Sequence, residues 1–180
     1  MATIAYTGKG DTGETTLFGG LKAKKSSLRI EAYGAIDELN SYIGVCRAVS
    51  SKETTNILEK IQKDLFVLGA DLATIREAKA NALRISGKET KHMEKVIDSI
   101  NKKLPDLKKF ILPAGTMSAS HLHVARSIAR RAERRAILLK ESENINDAIV
   151  PYLNRLSSLL FVLARYENIK KNVKEEEWSS

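Results

Sequence analysis

The sequence predicts an all-α protein, an antiparallel five-helix bundle with an irregular N-terminal arm. Three observations carry this. Apolar residues recur at steps of three and four in five separate stretches, the spacing of one buried helical face. The breaks between them are short, as expected of neighbouring antiparallel helices. Prolines stand only at 105, 113 and 151, and aromatic residues make up 6% of the chain, a composition unlike that of a strand-rich sandwich.

Residues 1–28 are rich in Gly, Thr and Lys and lack periodicity, so they read as a loop arm. A first helix is predicted over 30–49, with Ile36, Leu39, Ile43 and Cys46 inward, and a second over 53–76, with Ile57, Ile61, Leu65, Leu68, Leu72 and Ile75 inward. A polar stretch ends at Ser86-Gly87. The third helix then carries Met93, Ile97, Ile100 and Leu104 until Pro105 stops it. The segment Phe110-Ile-Leu-Pro-Ala-Gly115 is an apolar loop in which Phe110 belongs to no stripe, which makes it a candidate pocket wall. The fourth helix places Leu122, Ala125, Ala129, Ala132, Ala136 and Leu139 on its core line. The fifth begins near Asp147 or Pro151 and turns Leu153, Leu156, Leu160 and Leu163 inward. Residues 170–180 are charged and are expected to fray. No repeat and no second domain is visible, so 1–180 read as a single bundle domain.

A lone cysteine, Cys46, excludes an internal disulfide framework and suits a reducing compartment. The N-terminus has no signal-peptide pattern, and no segment is apolar enough to span a bilayer, so a soluble cytoplasmic protein without a membrane partner is expected. The 30 basic residues against 22 acidic ones give a net charge of +8, which favours anionic partners, phosphate esters and nucleic acid alike.

The fourth helix bears Arg126, Arg130, Arg131, Arg134 and Arg135 with Glu133, beside its core line. Planar guanidinium forks next to a core suit an anion held in a partly dry site, and a solvated basic face fits the same residues. The stretch from Gly8 to Thr16 resembles a phosphate-binding loop. Glycine lets backbone N–H groups converge on an anion, and threonine hydroxyls add donors. It is not a Walker A loop, because Glu14 stands where that motif needs lysine; an ordinary turn fits it too. Asp37 adjoins the inward Ile36, so its charge calls for a partner, an arginine of the fourth helix in the same or an adjacent chain. Asn154, Ser158 and Arg165 form a polar flank of the fifth helix, which a packed polar seam also explains. The histidines do not make a metal cage: His121 and His123 face apart, and Glu89 with His92 gives one Glu-x-x-His where a di-iron bundle needs two. Cys46 lies on an apolar stripe, and no Cys/His or Ser/His nucleophile pair is apparent.

Tyr6-Thr7, Gly10 to Thr15, Glu31 to Asn40, Phe110 to Pro113, the Arg126 to Arg134 segment and Tyr152 to Ser158, taken in order, resemble the ATP:cob(I)alamin adenosyltransferases of the propanediol-utilisation type. The resemblance spans nearly the whole chain. It implies a five-helix bundle assembled as a homotrimer, with ATP and cobalamin meeting at subunit interfaces. By motif, Thr7, Gly8, Lys9, Gly10, Thr15, Thr16 and Lys25 would wrap the triphosphate, and Arg130, Arg131, Glu133, Arg134 and Asn154 would complete the nucleotide pocket. Asp37 and Arg126 match an intersubunit salt bridge, and Phe110 matches the aromatic residue under the corrin ring. One departure stands out: the family commonly has Lys or Arg where this chain has Gly8.

The reaction so implied is attack by Co(I) on the ribose 5′-carbon of ATP, forming a cobalt–carbon bond and expelling triphosphate. Lys25, Arg130 and Mg²⁺ carried with ATP would neutralise the leaving group, while Phe110 would keep a lower axial ligand off cobalt. A Co(II) reductase and an adenosylcobalamin-dependent enzyme are the implied protein partners. Two other readings remain: a basic helical RNA-binding or scaffold protein, and a nucleotide-responsive cobalamin carrier. The arginine helix contains no aromatic residue to stack a base, so no nucleic-acid partner is expected.

Overall fold

The three-and-four spacing resolves into α1 (Leu28–Val49), α2 (Lys52–Ala73), α3 (Gly87–Asn101), α4 (Met117–Ser142) and α5 (Ile149–Lys170). The computed structural model describes residue 8, residues 10–75 and residues 83–179. In space α1 lies between α2 and α4, and α5 lies between α4 and α3. The core line of α4 falls where its sequence puts it: Leu122, Ala125, Ala129, Ala132, Ala136 and Leu139 are all fully buried. Four alanines on that line let α1 and α5 approach the α4 backbone closely. Leu153, Leu156, Leu160 and Leu163 are likewise fully buried. Every residue from Val162 to Asn168 is enclosed, since α5 is covered on more than one side. None of the described helices is long and apolar enough to cross a membrane.

Local chemistry sets the helix ends. Ser86 and Glu89 form a reciprocal capping box at the start of α3, with Ser86 Oγ donating to Glu89 Oε2 at 2.6 Å. Thr116 caps α4 by accepting the Ala119 N–H at 3.1 Å. Pro151 falls inside the first turn of α5, where its missing N–H costs no helical hydrogen bond. The second helix stops at Ala73, short of the expected residue 76, so Ile75 lies beyond its stripe. The buried Asp71 carboxylate there accepts from the Ile85 N–H at 3.2 Å, Asn146 Nδ2 at 2.6 Å and Arg84. These bonds gather two connections around the helix end.

Two expectations need correction. The arm is not all loop: β1 (Glu14–Thr16) and β2 (Lys22–Lys24) pair antiparallel, with Thr15 opposite Ala23. Gly19 and Gly20, at φ 106° and 89°, take positive dihedrals in the connection, and the hairpin buries only Leu17, too little to leave a periodic signal. Nor are residues 171–178 left loose. The chain reverses at Asn172 (φ 53°) and runs back along the Phe110 loop, where the Leu112 N–H donates to Glu176 O and the Trp178 N–H to Phe110 O, both at 2.8 Å. Charge misled here, because Glu175 is held by Arg165 inside the fold.

Candidate active site

The fourth helix sorts its basic residues by angle. Arg131 and Arg135 point to α1, pairing with Glu38 at 2.5 Å and Glu31 at 3.2 Å. Glu133 turns to α5 and accepts from Asn154 Nδ2 at 2.9 Å. Arg126, Arg130 and Arg134 recur every four residues on a third flank, and none forms an ion pair among the described residues. Burial, and after it the charge of Arg130, pushes the Arg126 guanidinium pKa down, and its buried Nε has no hydrogen-bond partner. A cationic flank left unneutralised beside the core is a site for an anion or for a carboxylate from elsewhere.

The arm supplies a second set of donors. Turn bonds from Asp11 N–H to Gly8 O and from Gly13 N–H to Gly10 O, both 3.2 Å, curl the Gly8 to Gly13 stretch, with Gly8 at φ 69° and Gly13 at φ 82°. The Lys25 N–H donates to Gly13 O at 2.8 Å, and a side chain at Gly10 would meet the Lys25 ammonium at 2.9 Å. Glycine at 10 therefore leaves room for that ammonium over the turn. Thr15 and Thr16, on β1, line a cavity of about 320 Å³ with Thr12, Glu14 and Lys22. Thr7 and Lys9 lie outside the described residues.

Asp37 is exposed on α1 and does not pair with Arg126 within the chain. It opens onto a cavity of about 390 Å³ between α1 and α2, walled mainly by apolar and aromatic side chains that include Tyr33, Phe18 and Phe66. Phe66 is 72% exposed, an orphan apolar ring at the rim. Sequence reasoning missed it, although an aromatic ring next to the inward Leu65 and off the stripe was a readable signal.

Phe110 is more exposed still, at 81%, so packing does not hold it. Its backbone is held instead. The tail pairs with residues 110 and 112, while Asn168 accepts from the Thr116 N–H at 2.8 Å and donates to Ala114 O at 3.1 Å. Gly115 (φ 119°) sits so near that any Cβ there would overlap the Asn168 amide. Nearby, His121 Nδ1 meets Tyr42 Oη at 3.0 Å, whereas His123 is buried with its ring 6.0 Å from that of Phe161. Burial first, then the charge of Arg126, lowers the His123 pKa. Burial pushes the Cys46 thiol up to about 12, which makes it a packing residue and a poor nucleophile.

Known proteins resemble this chain in sequence and fold. A corrinoid adenosyltransferase of Bacillus subtilis is 44% identical over 178 residues, covering 96% of this chain and 91% of that protein. The corrinoid adenosyltransferase PduO of Citrobacter freundii is 42% identical over 91% of this chain, which matches about half (49%) of that longer protein. Among solved structures, a phenylalanine-to-alanine variant of the PduO-type ATP:corrinoid adenosyltransferase of Lactobacillus reuteri, complexed with cobalamin and ATP, superposes with a TM-score of 0.93. That match has 38% identity and covers 97% of this chain and 99% of the other. An arginine-to-lysine variant of the same enzyme, complexed with ATP, gives a TM-score of 0.91 at 38% identity, again over 97% and 99%. The family model described as cobalamin adenosyltransferase matches residues 5–167, and the chain belongs to that family.

Proposed function

We propose that this protein transfers the 5′-deoxyadenosyl group of ATP to cob(I)alamin, forming adenosylcobalamin and releasing triphosphate. The observation that carries the reading is the unpaired flank of Arg126, Arg130 and Arg134 on α4, next to the Glu133–Asn154 contact. Arg130 and Arg134 take the nucleotide phosphates, and Arg131, Glu133 and Asn154 shape the pocket edge. The Gly8 to Gly13 turn, Lys9, Thr15, Thr16 and Lys25 close over the triphosphate, with Thr7 at the start of the arm. Guanidinium and ammonium groups have no lone pair for a hard cation, so Mg²⁺ arrives on the phosphate oxygens. Among the described residues no three His, Cys, Asp or Glu side chains stand together as a metal site.

Cob(I)alamin brings its own nucleophile, and the chain's work is placement and shielding. In-line attack on the 5′-carbon breaks the C–O bond to triphosphate, and the electron pair leaves with the phosphate, where Lys25 and Arg130 stabilise it. Phe110 is the nonpolar wall that keeps a lower ligand from cobalt. The four-coordinate Co(II) so produced accepts an electron more readily. Phenylalanine, arginine and threonine are not redox groups, so the electron that makes Co(I) comes from outside the chain, the role of a Co(II) reductase, and an adenosylcobalamin-dependent enzyme receives the product.

A homotrimer completes the site. Neither Asp37 nor Arg126 has an ion-pair partner among the described residues, and their pairing across an interface satisfies both. That contact sets the Asp37 cavity of one protomer against the Phe110 wall of the next, a cleft in which a corrin ring is covered on both faces. A cytoplasmic setting suits the single buried thiol. The RNA-binding reading loses ground, because Arg131 and Arg135 are bound to acids and the basic stripe is discontinuous. Incubation with ATP, Mg²⁺ and chemically reduced cobalamin tests the proposal. Alkyl-cobalt absorbance should grow with one triphosphate released per product over many turnovers. Stopping at one product per site would favour the carrier reading, and absence of the alkyl-cobalt product would refute both.

A further inference from the structure

Phe110 must sit at a fixed height to exclude a cobalt ligand, yet its ring is solvent-facing and its loop is held by backbone bonds. Those bonds trace back to one buried charge. Arg165 on α5, 6% exposed, donates through Nε to Glu175 Oε1 at 2.9 Å and through Nη2 to Glu175 Oε2 at 3.1 Å. The same Nη2 donates to Pro105 O at 2.9 Å. One guanidinium thus grips the start of the Phe110 loop and the root of the tail. Beyond that root, the tail pairs with the loop at Ile111–Glu177, Leu112–Glu176 and Phe110–Trp178. A forked, planar donor suits this task, since it fixes direction as well as distance.

We propose that Arg165 is a positioning residue for the Phe110 wall, acting through Glu175 and the tail: it locks residues 105–112 and 175–178 in register and so sets the ring against cobalt. The inference rests on the adenosyltransferase reading and adds to it a residue to which that reading gives no substrate contact. Packing alone would not need the pair, because well-packed apolar residues stabilise a buried site as well as a salt bridge does.

Glu175→Gln, at the outer end of the pair, tests this in the full-length protein, and Arg165→Lys serves as a second variant that keeps the charge but not the fork. Trp178 is the sole tryptophan, so acrylamide quenching of its fluorescence reports whether the tail is docked. Both variants should show stronger quenching and a several-fold weaker four-coordinate cob(II)alamin signal with ATP present. ATP affinity and helical circular dichroism should stay at wild-type values. A freed Trp178 with an undiminished cob(II)alamin signal overturns the proposal, as does Trp178 quenching that Glu175→Gln leaves unchanged. Equal loss of ATP affinity and cob(II)alamin signal also overturns it, since that would mark a general structural defect. If the wild type itself gives no four-coordinate signal, the adenosyltransferase reading of Phe110 fails, a result distinct from loss in the variants alone.

Discussion

On the proposed reading Arg130 and Phe110 divide the chemistry between a charge and a wall, so their removal should leave different signatures. Arg130→Ala removes an unneutralised guanidinium from the α4 flank, and ATP affinity should fall by about tenfold or more, the effect of losing a charge-assisted bond worth about 1.5–3 kcal/mol. Phe110→Ala should leave ATP affinity unchanged and abolish most of the four-coordinate cob(II)alamin signal. Titrating both variants with ATP while recording that signal separates the roles, and equal weakening of ATP binding in both would refute the division. At this scale the sequence was partly legible. The core line of α4 could be read from Leu122 to Leu139, because burial follows helical spacing directly. Which arginines stay free could not be read, since Arg131 and Arg135 are neutralised by Glu38 and Glu31 from a helix about a hundred residues away in sequence.

At the scale of elements, the α5 end ties two helix starts together. Glu167 is 1% exposed; its carboxylate accepts from Ser51 Oγ and Thr54 Oγ1 at 2.6 Å and from Ser118 Oγ at 3.0 Å, so it serves the starts of both α2 and α4. Burial alone would raise its pKa, but the bonds from Ser51, Thr54 and Ser118 outweigh that and hold it below the usual carboxylate value. A lowered folded-state pKa contributes stability above the ordinary glutamate range and loses it as pH falls through the folded value. Glu167→Gln should therefore destabilise the fold by about 2 kcal/mol at neutral pH. The gap from wild type should close below that folded value, and paired denaturant curves at neutral and acid pH measure it. A gap independent of pH would contradict the assignment. Gly115→Ala should cost about 1–3 kcal/mol, because it forces φ 119° on a residue with a Cβ and drives that Cβ into Asn168. An unchanged thermal midpoint would show that the loop can move away. The five helices were legible because each repeats its pattern over several turns. The hairpin and the docked tail were not: strands of three residues carry too few alternations to register, and a run of Lys and Glu gives no sign that one glutamate meets a buried arginine.

The whole molecule poses a question that one chain leaves open: Asp37 and Arg126 have no ion-pair partner among the described residues, and the Phe66 and Phe110 rings face outward. The proposed trimer would answer all of these at once. Arg126→Ala should shift the protein toward smaller species in sedimentation and lower activity together, because it strands Asp37 at the interface. A variant that sediments as wild type would argue against the bridge. The most direct test of the account is a structure with ATP and Mg²⁺ bound. Lys25 and Arg130 should both lie within hydrogen-bond distance of the triphosphate, with the Gly8 to Gly13 turn folded over it. Triphosphate bound elsewhere, with Arg130 and Arg134 pointing into solvent, would contradict it.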